Sequence, residues 1–366
     1  MNKKNYHEMI VKSNKQEYLG NNKIVNKINP IVSVTVKTYQ HAEYLEKCLE
    51  SILMQQTQFP FEIIIGEDDS IDGTKEICIE YARKYPEIIR LFLRSRKDVI
   101  HLGDQPTGIF NALANLSAAC GKYVADCDGD DYWTDPLKLQ KQYDYMHSNP
   151  NVTFCFHAAK YVYLNNDKED KIKRASKCNT IFKIEDIILG GGGFFTTNSI
   201  FYKKDVMADI PHWLFKAPSF DYPLALLCAN EGLVGYIDEV MCVHLVGTTG
   251  SWHQRIEDDI NYKLVHLKET IKMLDNYDSY TNYHYSKVIR KQINKKVETF
   301  ILDSAEVKVS EKLSIAFALN QLPFLLRYSI LSRYYLKKYL PFLYSLFLKS
   351  KRLLVNCLKN QERRKY

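Results

Sequence analysis

Four aspartates lie within six positions in the segment DCDGDDY: Asp126, Asp128, Asp130 and Asp131. The residues just before them, GKYVA, have the pattern of a buried strand, so the carboxylates are expected at a strand end. Like charges this close repel one another, and a divalent cation would remove the repulsion. Carboxylate oxygens suit Mg²⁺ or Mn²⁺, with phosphate oxygens and water as further ligands. The segment predicts a metal–phosphate site at the carboxyl end of a strand, where open α/β sheets bind ligands.

The same aspartate spacing also begins an EF-hand calcium loop, which needs Gly at its sixth position and a bidentate Glu at its twelfth. Here these positions hold Asp131 and Leu137, so a calcium loop is excluded. A solvated surface turn without a ligand remains the alternative for this segment alone.

The composition is that of a globular protein of 366 residues, with 46% hydrophobic and 25% charged residues. Nine cysteines without a C-x-x-C pair are typical of reduced thiols in the cytoplasm. The sequence shows neither a secretory signal nor an apolar run long enough to span a membrane. The net charge of +7 comes from residues 327–366, which hold eleven Lys or Arg and one acid. The rest of the chain is slightly acidic, and no nucleic-acid partner is predicted.

Strands and helices alternate in the first half of the chain. Strands are predicted at 31–37, 61–66, 88–93 and 122–126, and helices at 41–56, around Ile77 and Tyr81, and at 105–119. This alternation favours a parallel, doubly wound sheet. Beyond residue 150 the pattern loosens, with strands predicted at 152–163 and 194–202 and a helical region beyond 255.

Three segments resemble the family 2 glycosyltransferases, which are inverting enzymes with the GT-A fold: IVSVTVKTYQHAEYLEKCLESIL, EIIIGEDDSIDGT and GKYVADCDGDDYWTDPLKLQKQ. The resemblance implies an α/β fold with a Rossmann-like, mixed and mainly parallel sheet flanked by helices. The domain boundaries that follow are a polar arm at 1–29, a GT-A domain at 30–255 and a helical, basic extension at 256–366. Within the GT-A domain, 30–135 is the nucleotide-sugar half and 136–255 the acceptor half.

The resemblance also implies the donor-binding residues. Thr38 and Tyr39 match the segment that holds the nucleotide base, and Asp68 matches the aspartate that binds uracil. The family usually has Asp-Asp-Gly-Ser where this chain has Glu67-Asp68-Asp69-Ser70, which leaves the base identity open, with UDP favoured.

Asp128 and Asp130 match the family's D-x-D element, and Asp131 lies beside it. This match implies that Asp128 and Asp130 hold Mg²⁺ or Mn²⁺ and that the element contacts the ribose or diphosphate of the nucleotide sugar. A metal held by carboxylates would stabilise the charge on the departing diphosphate without requiring a proton.

An inverting transfer needs a carboxylate that takes the proton of the acceptor hydroxyl. The segment SFDYPLALLCANEGLVGYIDEVM resembles the acceptor-side helix and strand of bacterial members, which implies that Asp221 is this base. Asp221 also suits the start of a helix as a cap, and both roles can hold together. Asp238 and Glu239 form a competing pair, but their strand-like context favours a structural role.

The chain departs from the family pattern at VHLVGTTGSWHQ, residues 243–254. The family commonly has Tyr-Arg-x-His before a Gly-Gly-x-Trp element, whereas this chain has His244 and Leu245. Trp252 keeps its place and His253 follows it, so both are candidate contacts of the diphosphate or acceptor. Whether His244 or His253 replaces the family histidine stays open.

The predicted function is transfer of a sugar from a nucleotide sugar, with UDP as the favoured nucleotide, to a hydroxyl of a cell-surface glycan or lipid-linked acceptor. A nucleotide-sugar pyrophosphorylase would need a Gly-rich, Arg-containing loop after the first strand, and KTYQHAEY is not such a loop. A decayed, non-catalytic nucleotide-sugar-binding scaffold at a membrane surface is the alternative. The presence of Asp68, Asp128, Asp130 and Asp221 together disfavours it.

Two further segments stand out. LGGGGFF at 189–195 lacks the GK[ST] ending of a phosphate loop and is more typical of a mobile turn beside a site. In the tail, a basic helical side is opposed by an apolar one, and Pro341 divides the helix. The basic side comprises Arg333, Lys337 and Lys338; the apolar side comprises Leu336, Tyr339, Leu340 and Leu343. The pattern predicts an interfacial helix on an anionic membrane, hence a peripheral protein on the inner face; a helix packed on the domain or a dimer contact is the alternative.

Overall fold

The computed structural model describes residues 8, 11, 16–19, 29–164, 168–248, 260–303, 324–340 and 342. The strands are β1 Glu17–Tyr18, β2 Val32–Thr38, β3 Phe61–Glu67, β4 Ile89–Leu93, β5 His101–Leu102, β6 Gln105–Pro106, β7 Tyr123–Asp128, β8 Tyr132–Trp133, β9 Val152–Tyr163, β10 Lys171–Lys173, β11 Thr180–Phe182, β12 Phe201–Lys203 and β13 Leu233–Val246. The helices are α1 Leu45–Leu53, α2 Thr74–Lys84, α3 Ile109–Ala118, α4 Lys138–Ser148, α5 Ile184–Gly190, α6 Asp221–Glu231, α7 Ile260–Tyr280, α8 Ser286–Asp303 and α9 Phe324–Tyr339.

One mixed, mostly parallel sheet organises the described residues, as the sequence predicted. Its strand order is β1-β4-β3-β2-β7-β12-β9-β13-β11, with β10 added beside β9 and β8 beside β13. Strands β4, β3, β2 and β7 are parallel neighbours, and the short β12 runs antiparallel between β7 and β9. The carboxyl ends of β2, β3 and β7 therefore lie along one edge of the sheet, where the predicted site residues follow them.

The central strands are apolar on both faces because helices cover both faces. On β3, Ile63 and Ile65 pack in the cluster that contains α1 and α2, whereas Ile64 packs with α3 and α6. All three side chains are fully buried. This continuous burial is typical of the central strand of a parallel sheet.

Two predicted boundaries were wrong. The helix predicted at 105–119 begins only at Ile109, because residues 105–106 pair with 101–102 in a small hairpin. The strand predicted at 194–202 is confined to β12, since 197–199 form a 3₁₀ turn. There the side chain of the buried Asn198 donates from Nδ2 to the Val243 carbonyl at 2.7 Å. The backbone carbonyl of Asn198 accepts a hydrogen bond from Trp133 Nε1 at 3.0 Å. Tertiary hydrogen bonds thus override the local β propensity.

Strand β1 forms one margin of the sheet and pairs antiparallel with β4. Arg90 of β4 fixes it, because its Nε lies 2.8 Å from a Glu17 carboxylate oxygen and its Nη1 lies 3.2 Å from Glu62. A short piece of the polar arm predicted at 1–29 is therefore part of the fold.

The C-terminal region is helical, as predicted. Helix α9 packs on α8 through Ile330 and Tyr334, both buried in the larger core cluster. Arg333 forms an ion pair with Glu298, and Lys337 Nζ donates to the Leu302 carbonyl at 2.9 Å. Lys338 Nζ donates to the Tyr334 hydroxyl at 3.4 Å, so all three charges assigned to a basic surface have partners within the protein.

The outer face of this region exposes large apolar side chains: Tyr335, Tyr339, Leu340 and Phe342. Pro341 and Leu343 lie outside the described residues, as does the rest of the tail to residue 366. Among the helices that the structure describes, none has the length and apolarity to cross a membrane.

Candidate active site

The ends of β2 and β3 bring Thr38, Tyr39 and Asp68 together. The Asp68 amide donates to the Thr38 carbonyl at 3.1 Å, which ties the two strand ends to each other. Arg96 Nη1 lies 2.7 Å from Asp68 Oδ2, and its guanidinium lies 3.8 Å from the centroid of the Tyr39 ring. Arg96 was missed in the sequence, where nothing sets it apart from its basic neighbours. It joins the two residues predicted to hold the base.

The other carboxylate oxygen of Asp68, Oδ1, differs from Oδ2 in its hydrogen bonding. Asp68 is 4% exposed, and its Oδ1 has no hydrogen-bond partner among the described residues. Burial raises the pKa of Asp68, and the neighbouring Arg96 only partly offsets this effect. Buried polar atoms are usually satisfied, so Oδ1 is suited to accept a hydrogen bond from a ligand.

Glu67 shapes the turn after β3. Its carboxylate accepts hydrogen bonds from the Ser70 amide at 2.7 Å and the Asp69 amide at 3.3 Å. Asp69 has a φ of 63°, in the left-handed region that Gly adopts most readily. This chain thus makes the turn without the family's glycine, and Glu67 is occupied in holding it.

A buried polar layer supports these strand ends. Arg94 is 2% exposed and donates to the side-chain oxygens of Asn111 and Asn115, the latter at 2.6 Å. The two amides in turn donate to the carbonyls of Gly66 at 2.8 Å and Val36 at 3.0 Å. Burial lowers the pKa of Arg94 to about 9. This layer fastens α3 to β2 and β3 directly behind Asp68, and the sequence analysis did not identify it.

Lys37 is the cation of the aspartate cluster. Its Nζ lies 3.1 Å from Asp128 Oδ1. Burial lowers the pKa of Lys37, but the charges of Asp128, Asp126 and Asp221 outweigh burial and the net pKa is raised. Asp126 is 2% exposed and accepts a hydrogen bond from Thr35, so it lies inside the sheet rather than in the open site. The positive charge of Lys37 therefore partly offsets the repulsion between the clustered aspartates.

Asp130 links the cluster to the end of β13. Its Oδ2 accepts a hydrogen bond from Thr248 Oγ1 at 2.8 Å and lies 3.9 Å from His41 Nε2. The other ring nitrogen of His41 lies 3.3 Å from Thr38 Oγ1. Asp130 therefore stands between the nucleotide half and the acceptor half of the domain.

Asp131, which is buried, pairs with the partly buried His244. His244 Nδ1 lies 2.9 Å from Asp131 Oδ2, and the Leu245 amide donates to Asp131 Oδ1 at 2.9 Å. Burial raises the pKa of Asp131 to about 6. Burial lowers the pKa of His244, but Asp131 outweighs it and the pKa is raised. His244 is thus held beside the D-x-D element, whereas Trp252 and His253 lie outside the described residues.

Asp221 reaches the cluster from the start of α6. Its Oδ1 accepts a hydrogen bond from the Tyr222 amide at 2.8 Å, while Phe220 occupies the cap position. It interacts electrostatically with Asp128 and Lys37, and burial raises its pKa. The structure therefore brings the predicted base to the D-x-D element from a distant part of the sequence.

Asp238 and Glu239 have other partners. Asp238 pairs with Arg174, and a Glu239 carboxylate oxygen lies 2.5 Å from Lys141 Nζ. Both carboxylates thus hold β13 to neighbouring segments.

The residues fit a divalent cation that is shared with a ligand. No group of three or more His, Cys, Asp or Glu side chains in the described part of the chain is placed to hold an ion alone. Magnesium, however, commonly takes one or two carboxylates, with phosphate and water as its other ligands. Asp128 and Asp130 provide this oxygen-only donor set on the same strand end.

Comparison with known proteins shows which family the chain resembles. Residues 33–210 match the family model described as glycosyl transferase family 2. An uncharacterised protein of Mycobacterium tuberculosis (strain H37Rv) is 34% identical over 228 residues, which cover 62% of this chain and 62% of that protein. The chain thus spans less than two thirds of that relative. TuaG of Bacillus subtilis (strain 168), named as a glycosyltransferase of teichuronic acid biosynthesis, is 32% identical over 117 residues, 32% of this chain and 42% of TuaG.

Among solved structures, S. aureus TarS 1-349 in complex with UDP has a TM-score of 0.50 and 18% identity to this chain. The match covers 81% of this chain and 82% of that one. At this identity the likeness concerns the fold, and it agrees with the GT-A architecture predicted from the sequence.

Proposed function

Because residues 33–210 belong to glycosyl transferase family 2, we propose that this protein transfers a sugar from a nucleoside diphosphate, with UDP as the favoured nucleotide, to an acceptor hydroxyl with inversion. The observation that carries the proposal is the meeting of three elements at one sheet edge. Asp68 follows β3, Asp128 ends β7, and Asp221 begins α6 within electrostatic reach of Asp128. These three would serve as the base-binding carboxylate, the diphosphate-binding element and the general base.

The donor would be held by the strand ends. The base would lie by Tyr39 and offer a hydrogen-bond donor to the unsatisfied Oδ1 of Asp68, with Arg96 fixing both side chains. Asp128 and Asp130 would hold a Mg²⁺ or Mn²⁺ ion, which when bound stabilises the negative charge of the diphosphate. The presence of UDP in the TarS complex supports this choice of donor class.

Asp221 would act as the general base. Its carboxylate takes the acceptor proton while the acceptor oxygen forms a bond to the anomeric carbon. The bond from that carbon to the diphosphate oxygen breaks, and the nucleoside diphosphate leaves with the bonding electrons. Because attack comes from the face opposite the leaving group, the product has the inverted anomeric configuration. Lys37 stabilises the ionised form of Asp221, which the reaction requires.

The proposal is tested by incubating the protein with a panel of UDP-sugars and Mn²⁺ and measuring the UDP released by slow donor hydrolysis. We expect one sugar to be preferred and UDP binding, measured calorimetrically, to strengthen with Mn²⁺. UDP binding without any release of UDP or transfer would favour the non-catalytic scaffold, and no UDP binding would overturn the proposal. Once an acceptor is found, the anomeric configuration of its product tests inversion.

We also propose that the acceptor is a cell-surface glycan or a lipid-linked precursor, and that the protein acts on the inner face of the membrane. The teichuronic acid assignment of TuaG supports the acceptor class. The exposed side chains of Tyr335, Tyr339 and Phe342, followed by a strongly basic sequence, support contact with anionic lipid.

Vesicle binding tests the membrane proposal. Truncation before α9 would remove the buried Ile330 and Tyr334 and uncover the core surface on which they pack, so point variants are preferable. Tyr339→Ser together with Phe342→Ser should weaken binding to vesicles containing phosphatidylglycerol about tenfold and leave donor hydrolysis unchanged. Tyr283→Ser, an exposed tyrosine after α7, is the control. Full-length protein that ignores such vesicles at low salt would overturn the proposal.

A further inference from the structure

Two lysines outside the donor site interact electrostatically with Asp221, and we refer to Lys173 and Lys296 as the acceptor-side lysines. Lys173 ends β10 and is partly buried. Its Nζ donates to the Tyr161 hydroxyl at 3.1 Å and to the Phe195 carbonyl at 3.3 Å. Its third hydrogen-bond donor remains available, and the ammonium interacts electrostatically with Asp221.

Lys296 approaches the same carboxylate from α8. Its Nζ lies 6.0 Å from the centroid of the Tyr222 ring, in the residue next to Asp221. A Cβ at Gly191 would lie 3.5 Å from this Nζ, and one at Gly192 would lie 3.4 Å from the Tyr222 Cβ. The glycine segment therefore runs between Lys296 and the start of α6.

The glycine segment leaves room at this place. A Cβ at Gly193 would meet no heavy atom within 4 Å. The open space adjoins Phe194 and Phe195, and the Phe195 carbonyl holds Lys173. Backbone without side chains, next to Lys296 and followed by the carbonyl that holds Lys173, allows a small ligand to approach closely.

The acceptor-side lysines carry charge that the described residues do not pair. Burial lowers the pKa of Lys173 to about 8 and also lowers that of Lys296. Each interacts electrostatically with Asp221, yet no ion pair within 4.0 Å joins either ammonium to a carboxylate of the described residues. Partly buried ammonium groups are stabilised when an anion completes their surroundings.

We propose that Lys173 and Lys296 bind an anionic group, a phosphate or a carboxylate, on the acceptor and thereby place its neighbouring hydroxyl at Asp221. This inference rests on the function proposed above and narrows its acceptor class. An anionic acceptor would otherwise be repelled by the aspartates of the site, whereas a neutral acceptor would need no such compensation. The lysines lie on the Asp221 side, while Asp128 and Asp130 serve the donor diphosphate.

The test uses protein saturated with UDP and Mn²⁺, so that the donor site cannot take up the probe. Glycerol 1-phosphate, glucuronate and neutral glycerol are titrated separately, with binding followed by calorimetry. We expect at least one anion to bind in the millimolar range and glycerol not to bind. Lys173→Met and Lys296→Met should each weaken anion binding about tenfold. Lys291→Met, an exposed lysine of the same α8 helix, is the matched control.

The outcomes separate the possibilities. Binding of glycerol 1-phosphate alone indicates a phosphate-bearing acceptor, and binding of glucuronate alone indicates a uronic acid. The proposal is overturned if wild-type protein binds neither anion, if the methionine variants bind as well as wild type, or if they weaken UDP binding instead. Thermal melting of each variant, with Lys296→Arg as the charge-conserving variant, separates lost charge from lost structure.

UDP release from a UDP-sugar by the same proteins tests the proposed function separately. If wild-type protein binds the anion but not UDP, the lysine site is supported and the proposed transferase function is overturned. If the protein hydrolyses the donor but shows no lysine-dependent anion binding, the transferase function is supported and the lysine site is overturned.

Discussion

The donor side and the acceptor side of the site are built differently. On the donor side, the charges follow strand ends of one continuous sheet and are paired within the protein, as in Arg96–Asp68 and Lys37–Asp128. On the acceptor side, Asp221, Lys173 and Lys296 come from α6, β10 and α8, and they interact without direct ion pairs. Paired charges keep a fixed geometry before any ligand binds, whereas unpaired ones can gain their partner from the ligand. The difference indicates a preorganised donor site and an acceptor site that its substrate completes.

Asp130→Asn should give the largest effect, because it removes one of the two charges that would hold the cation. We expect donor hydrolysis to fall about 10³-fold and the Mn²⁺-dependent gain in UDP affinity to disappear. Asp144→Asn, at an exposed position of α4, is the control and should keep both. Full hydrolysis in EDTA would refute the metal assignment and leave Lys37 as the main cation of the donor side.

Asp221→Asn tests whether the acceptor side contains the base. We expect kcat for donor hydrolysis to fall by about 10² or more, because general-base catalysis commonly contributes about 10²–10⁴-fold. UDP affinity should stay within a few-fold of wild type. Glu231→Gln, at the exposed far end of α6, is the matched control. A large loss of UDP affinity would instead indicate that Asp221 contributes to the donor site.

Alanine substitutions at one glycine on each side test how tightly the donor side and the acceptor side are packed. A Cβ at Gly66 would lie 1.9 Å from Asn111 Oδ1 and 2.0 Å from Arg94 Nη1, so Gly66→Ala must displace the polar layer. We expect the free energy of unfolding, measured in urea, to fall by about 1–3 kcal/mol. Gly193→Ala, with open space around its Cβ, should change it by less than about 0.5 kcal/mol. Equal losses of unfolding free energy in the two variants would show that the donor side is no more tightly packed than the glycine segment.

The smallest expected effect is on pH dependence. Burial raises the pKa of Asp221, and the base works only when ionised, so hydrolysis should decline as the pH falls through that raised pKa. Lysine charge favours the ionised carboxylate, so Lys173→Met should raise the pKa further and move the acid limb to higher pH. A shift of roughly half a unit, or about threefold in rate below the limb, is expected.

Donor hydrolysis is the proper assay for this shift, because water replaces the acceptor and no acceptor anion intervenes. Lys173→Arg should restore the wild-type limb. An acid limb that persists unchanged in Asp221→Asn would assign it to another group.

The position of the donor-side residues at one sheet edge was predictable from local patterns, whereas their roles as donor contacts came from the resemblance. The β-branched run at 31–37 marked a strand, the carboxylates followed buried strands, and parallel strands end at the same edge. Arg96 was missed because a basic residue in a loop has no local signature. Its role depends on the folded position of Asp68 and Tyr39.

The acceptor side was less predictable for a physical reason. Asp221 could be assigned only through a resemblance, and no spacing rule links it to Lys173 or Lys296, which reach it through separate elements. The tail gives a similar lesson. A helix was correctly predicted over the part of the tail that α9 covers, but the sequence could not show that Arg333 pairs with Glu298 of α8 instead of facing a lipid surface.

The two-residue strand β1 has a consequence for how the protein behaves at high concentration. Pairing with β4 covers backbone N–H and C=O groups that would otherwise be presented at the sheet margin, where unpaired strands recruit strands of other molecules. The Arg90–Glu17 contact holds this cover in place with a charge pair. A proteolytic cut between residue 19 and β2 would loosen the cover while sparing the catalytic residues. The cut protein would then be prone to edge-to-edge self-association, and aggregation would precede any loss of chemical competence.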